Sequence, residues 1–166
     1  GAGAAGIWMQ CAEDDNANPC ACAAKPSASL DHVLLRQNRV VSASFRGVAA
    51  KLRDVRIVET QVGASFAVGG GLAVSECSAL DAAGLTVRGA FDSKGAPIGY
   101  GILIDGSSAS LGGDLEKKGI IIVDTKPGIW IQRVGVASEE PNQSVKLDGV
   151  EVSSCHGVGI GVDLAA

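Results

Sequence analysis

Apolar and polar residues alternate along this chain in short triplets, and a glycine or a Ser/Asp/Asn cluster interrupts each run before three helical turns could form. The best helical stretch, Asp114-Leu115-Glu116-Lys117-Lys118, is one turn at most. Period-two alternation puts successive side chains on opposite faces of a strand, so the chain reads as β throughout.

Two units recur. In the first, a leucine stands three residues before an apolar-x-apolar strand, as in Leu30-x-x-Val33-x-Leu35, Leu52-x-x-Val55-x-Ile57 and Leu147-x-x-Val150-x-Val152. Longer versions run from Leu80 to Leu85-x-Val87 and from Leu115 to Ile120-x-Ile122. In the second, a glycine precedes the triplet: Gly6-Ile7-Trp8-Met9, Gly71-Leu72-Ala73-Val74, Gly101-Ile102-Leu103-Ile104, Gly128-Ile129-Trp130-Ile131 and Gly157-Val158-Gly159-Ile160. The units alternate. Leu72, Ile102, Ile129 and Val158 follow one another at 30, 27 and 29 residues, with the length variation confined to polar stretches. Stacked coils with loop insertions produce such spacing, because each coil buries its apolar stripe against the next. The expected fold is all-β, a right-handed parallel β-helix of about five to six coils. It is expected to form one domain over residues 1–166, part of a longer coil stack, with a Cys-containing loop insertion at 10–28. Coil two can be anchored at Phe45 or at Val48. Asn38, Thr60, Ala90, Thr125 and Cys155 each fall three residues after a second core residue, a corner where small or amide side chains would stack.

The run S-x-x-x-L-x-x-V-x-I followed by G-I-x-V resembles the pectin-lyase-like superfamily of β-helix proteins, from about Gly6 to Val162. That resemblance implies the fold, while its members range from polysaccharide lyases and glycoside hydrolases to tailspikes, adhesins and surface proteins. Cys155-His156-Gly157-Val158-Gly159-Ile160-Gly161 looks like the G-H-G-x-S-I-G segment of polygalacturonases, which would make His156 a catalytic-site residue. Such chemistry needs two carboxylates flanking the scissile bond. The preceding coils offer Asp105, Asp124 and Asp148 singly, and the adjacent pair Asp14-Asp15 lies in the N-terminal loop. The alternative reading of His156 is a corner residue before a glycine turn. Asp31-His32 is similar to a lyase I-D-H segment, yet Leu30 and Val33 bracket it as a solvated turn. Asp81 and Asp148 each follow a repeat leucine, which predicts a shared lateral position.

The middle residue of each triplet should point outward. Arg56, Thr86 and Glu151 suit a solvated face, whereas Trp8, Leu103, Ile121 and Trp130 do not. Leu103 and Trp130 occupy equivalent positions on successive coils and should touch. Either an insertion at 105–118 or 133–146 covers them, or they form a contact platform. An aromatic face matches the apolar face of a pyranose, and Asp105, Gln132 and Asn142 could take its hydroxyls. The expected ligand-binding residues are therefore Trp130, Leu103, Gln132 and Asp105.

Of the five cysteines, Cys11, Cys20 and Cys22 cluster in the polar insertion. C-x-C lacks the paired spacing of a zinc site, so a disulfide from Cys11 to Cys20 or Cys22 is preferred over metal. That chemistry fits an extracellular or cell-surface setting. Cys77 and Cys155, at different corners, are expected to be reduced and buried. No cofactor is implied.

Twenty-three glycines in 166 residues support the corner-rich reading. The net charge of −4, without a Lys/Arg-rich run, argues against nucleic acid as partner. Unbroken apolar runs of four or five residues fall far short of the roughly 20 that span a bilayer. The last coil begins at Val158 with no cap, which predicts further coils or end-to-end self-association. The chain is thus expected to be a binding or structural module toward polysaccharide or a neighbouring protein. Alternatives are a polysaccharide-degrading enzyme using His156, Asp105 or Asp124, and a filament subunit.

Overall fold

In a computed structural model, residues 6–11, 25–61, 69–92, 94–112, 119–134 and 143–163 are described. They form sixteen strands and no helix, in three parallel sheets. With strands numbered in chain order, sheet A stacks β1 (Ile7–Gln10), β4 (Val41–Arg46), β7 (Gly70–Ser75), β10 (Tyr100–Asp105), β13 (Ile129–Gln132) and β16 (Ile160–Asp163). Sheet B stacks β2 (Ser27–Asp31), β5 (Ala49–Arg53), β8 (Ala79–Ala83), β11 (Ser108–Leu111) and β14 (Val145–Leu147). Sheet C stacks β3 (Leu34–Arg36), β6 (Arg56–Gln61), β9 (Thr86–Phe91), β12 (Ile120–Val123) and β15 (Val150–Ser153). Each of the first five coils contributes one strand to each sheet, β16 adds a sixth strand to sheet A, and the chain is a right-handed parallel β-helix. No helix among the described residues is long and apolar enough to cross a membrane.

Inward residues form aliphatic columns, one per pleat. Ile7, Ala43, Leu72, Ile102, Ile129 and Ile160 stack in sheet A. Leu35, Ile57, Val87, Ile122 and Val152 stack in sheet C. Most of these side chains are fully buried, so the core is continuous along the axis. Coil two is anchored by Ala43 and Phe45, which pair with Ile7 and Met9, and Val48 packs at the corner beyond.

Three sequence alignments shift in the structure. In sheet B, Leu30 and Leu52 share a column with Ala82 and Leu111, whereas Leu80 stands in the neighbouring column with Ala50 and Ala109. Coil three has exchanged the order of its large and small residues, which keeps the two columns interdigitated at constant volume. The apparent two-residue extension from Leu80 to Leu85 therefore vanishes, and Ala82-x-x-Leu85 has the ordinary spacing. Coil four is entered through Leu111 rather than Leu115, which lies outside the described residues. Asp81 consequently shares its column with Ser110 and Lys146, not with Asp148. In coil six Ile129 pairs with Ile160, so the unit is Gly159-Ile160-Gly161-Val162 rather than Gly157-Val158-Gly159-Ile160. A two-residue slip preserves which residues face inward, and alternation alone cannot detect it. The insertion expected at 10–28 is also shorter, since Gln10 ends β1 and Ser27 begins β2.

The glycine of the second unit has a packing cause. Gly71, Gly101, Gly128 and Gly159 stack where the chain enters sheet A; a Cβ on Gly101 would collide with the Gly128 carbonyl and Ile122. Coil two places Ser42 there, and its hydroxyl shares a 2.7 Å hydrogen bond with Thr60. Thr60 and Thr125 are fully buried in the corner column that also holds Asn38, Ala90 and Cys155.

All three corners are left-handed. One holds His32, Asp54, Gly84 and Gly149; another Gln37, Glu59, Gly89, Asp124 and Ser154; the third Gly47, Glu76, Gly106 and Arg133, all with φ from 50° to 75°. Each non-glycine in such a conformation costs roughly 1 kcal/mol, and several carry charged side chains that meet a neighbouring coil.

Candidate functional site

On the outer face of sheet A, one column runs Trp8, Ser44, Ala73, Leu103, Trp130, Gly161, and the next runs Gln10, Arg46, Ser75, Asp105, Gln132, Asp163. Leu103 and Trp130 are direct cross-strand partners, as the repeat predicts. Together with Gln132, Tyr100, Ile98 and Lys126 they line an open depression of about 370 Å³. The Trp130 indole N–H donates to Gln132 Oε1 at 3.1 Å, which fixes the ring. Its six-membered ring covers Gly161, where any Cβ would overlap it. Tyr100 forms the buried side of the depression, and burial pushes its phenol up to about 12. The result is an aromatic and aliphatic floor with an amide and an ammonium at its margin.

The same local design appears at the other end of the sheet. Ile7-Trp8-Met9-Gln10 repeats the pattern Ile129-Trp130-Ile131-Gln132, and the Trp8 indole N–H donates to Gln10 Oε1 at 3.0 Å. Trp8 is exposed on coil one, four coil steps from Trp130, or about 19 Å.

The two insertions expected to cover Trp130 contain strands of sheet B instead, β11 and β14. Gln143, entering β14, donates to the Gly106 carbonyl at 2.7 Å and is buried at the corner beyond sheet A. Residues 113–118 and 135–142, including Asn142, lie outside the described residues.

Asp105 ends β10 beside this face but does not line the depression. Both its carboxylate oxygens accept from Arg133, whose guanidinium the carboxylate holds above its ordinary value. Its side chain is only 13% exposed, which leaves little of the carboxylate open to a sugar hydroxyl. Asp124 follows β12 at another corner, 3.8 Å from Arg88. His156 is exposed, with its backbone N–H on the Thr125 carbonyl at 3.0 Å. Asp105 and Asp124 thus stand at opposite ends of sheet A's strands, and the structure does not bring them together as an acid and base pair. His32, exposed in its left-handed turn, contacts Asp31 and Asp54. No group of three or more metal-ligating side chains occurs among the described residues.

Cys11 is disulfide-bonded, and so is Cys77, contrary to the expectation of a reduced thiol there. Cys77 is buried at the sheet A to sheet B corner, the same corner Cys11 occupies two coils earlier, a shared edge that the triplet spacing does not expose. Cys155 is free but only half-buried, 3.5 Å from the Thr125 hydroxyl. Cys20 and Cys22 lie outside the described residues.

Sequence reasoning missed Tyr100, Ile98 and Lys126, which precede their coils' triplets and belong to no repeat unit. The duplicated Ile-Trp-x-Gln was a readable signal. Comparison with protein-family models, with curated proteins and with solved structures finds no match for this chain.

Proposed function

We propose that the chain is an extracellular or cell-surface β-helix module that binds polysaccharide through the outer face of sheet A. The observation that carries this reading is the convergence of Trp130, Leu103, Tyr100 and Gln132 on one depression. A pyranose stacks on an indole through its C–H face, and an oriented amide beside the ring takes a hydroxyl. The disulfides of Cys11 and Cys77 support an oxidising location. The separation of Asp105 from Asp124 favours binding over hydrolysis.

The test is titration of intrinsic fluorescence with neutral and acidic polysaccharides in wild type and in Trp130→Ala. A saturable shift lost in Trp130→Ala supports the reading. Unaltered emission with every glycan, or a shift that survives the substitution, removes it.

A second reading, end-to-end self-association, rests on exposed apolar residues at both ends of the described stack: Trp8 and Leu34 at one, Ile160 and Val162 at the other. Sedimentation over a wide concentration range tests it, and a monomer throughout excludes it.

A further inference from the structure

Sheet C carries a feature unlike the rest of this acidic chain. On its outer face Arg36, Val58 and Arg88 stack in register on three successive coils, and Arg56 stands in the adjacent column beside Leu34 and Thr86. The three guanidiniums surround a groove of about 430 Å³, walled by Leu34 and Phe91 and bordered by Glu59 and Asp124. Three of the seven arginines of a chain with net charge −4 therefore meet in one place.

The two carboxylates pair with Arg36 and Arg88 and offset two of the three positive charges. Arg36 uses its Nε–H on Glu59 at 3.1 Å, which leaves its terminal nitrogens pointing elsewhere. Arg88 presents Nε to Asp124 at 3.8 Å, beyond hydrogen-bond distance. Arg56 is exposed and forms no ion pair among the described residues. The hydrogen bond and charge of Arg36 chiefly, with smaller contributions from Gln37 and Arg88, hold the Glu59 carboxyl below its ordinary value. Counting three arginines against two carboxylates leaves +1, with Arg56 and the outer arms of Arg36 and Arg88 uncommitted among the described residues.

We propose that this groove is an anion site for a tetrahedral oxyanion ester, sulfate or phosphate, held by Arg56, Arg88 and Arg36. A carboxylate is planar and satisfies one guanidinium fork, whereas an ester of sulfate or phosphate has three terminal oxygens for donors arriving from three coils. The vertical step of about 4.8 Å between coils lets neighbouring guanidiniums reach one such group. The site is separate from the Trp130 depression and stands whether or not that depression binds glycan.

Inorganic sulfate, inorganic phosphate and acetate are titrated at constant ionic strength, with the arginine Nε–Hε signals followed by NMR. Saturable shifts of Arg56 and Arg88 with sulfate or phosphate are expected, and the anion that saturates at the lower concentration names the ester. Arg56→Gln should weaken binding by about tenfold, as loss of a charge-assisted contact does; Lys51→Gln, the same charge change on the outer face of sheet B, should leave it unaltered. Arg88→Gln gives the same reading should Arg56→Gln not fold. The proposal is overturned by absence of saturation, by acetate binding as tightly as the tetrahedral anions, or by equal weakening in Lys51→Gln.

Discussion

Asp105 closes strand β10, and its carboxylate grips Arg133 one coil further on, where Arg133 holds the left-handed corner at φ 55°. The same relationship occurs with the charges exchanged between Arg46 and Glu76, and at the next corner between Arg36 and Glu59 and between Arg88 and Asp124. In each case the residue just before one coil's left-handed corner meets the left-handed corner residue of the following coil. The cross-coil ion pair offsets part of the backbone cost of placing a side chain where glycine would be easier.

Asp105→Asn removes the charge of the best-buried carboxylate among these pairs, since the Asp105 side chain is 13% exposed. Because Arg133 is 60% exposed and water can take its freed donors, the loss should destabilise the fold by about 0.5–1 kcal/mol. The fall in urea midpoint, at unchanged slope, checks this, and an unaltered midpoint would show that the corner does not depend on the pair.

Glu59 titrates below the ordinary glutamate value of 4.5, chiefly because Arg36 bonds and attracts its charged form. A carboxyl depressed in the folded state contributes stability that is present above its unfolded value and lost as pH falls through the folded one. Stability should therefore decline with acidification below about pH 4.5. Arg36→Gln should raise the Glu59 midpoint measured by NMR and make this decline shallower; a midpoint that does not move would place the cause elsewhere.

Gly101→Ala tests the glycine column. Its Cβ would be driven into the Gly128 carbonyl, which the sheet A ladder cannot release, and into Ile122 of the core. A loss of about 2–4 kcal/mol is expected from such overpacking of backbone. Thermal unfolding close to wild type would mean the coils can separate at this edge.

The fold was legible because each coil repeats two apolar triplets at a nearly constant period, and the contact of Leu103 with Trp130 followed from the same alignment. What alternation could not reveal was any displacement by an even number of residues. Leu80 and Ala82 both point inward, so their exchange of columns is visible only in the pairing. Val158 and Ile160 pose the same ambiguity in coil six. The disulfide at Cys77 was hidden for a related reason, since corner positions carry no hydrophobic rhythm. The arginine groove was missed because Arg36, Arg56 and Arg88 occupy two columns on three coils, and each alone reads as an ordinary solvated residue.

The pose of Trp130 makes the most demanding prediction, because it can be displaced without altering the tryptophan itself. Gly161 is buried beneath the ring, and the atoms a Cβ would meet there are the outer carbons of a side chain rather than backbone. Gly161→Ala should accordingly cost little stability, under about 1 kcal/mol, since the ring can swing outward. It should lift the indole from its bed and break the bond to Gln132 Oε1. With Trp8→Phe as background, Trp130 is the only indole left, so its emission should move to longer wavelength and become more accessible to acrylamide. Glycan affinity should fall together with that shift if the oriented ring is the platform. Emission that stays in place would refute the pose, whereas emission that moves while affinity holds would separate glycan binding from this ring and return the face to a packing role.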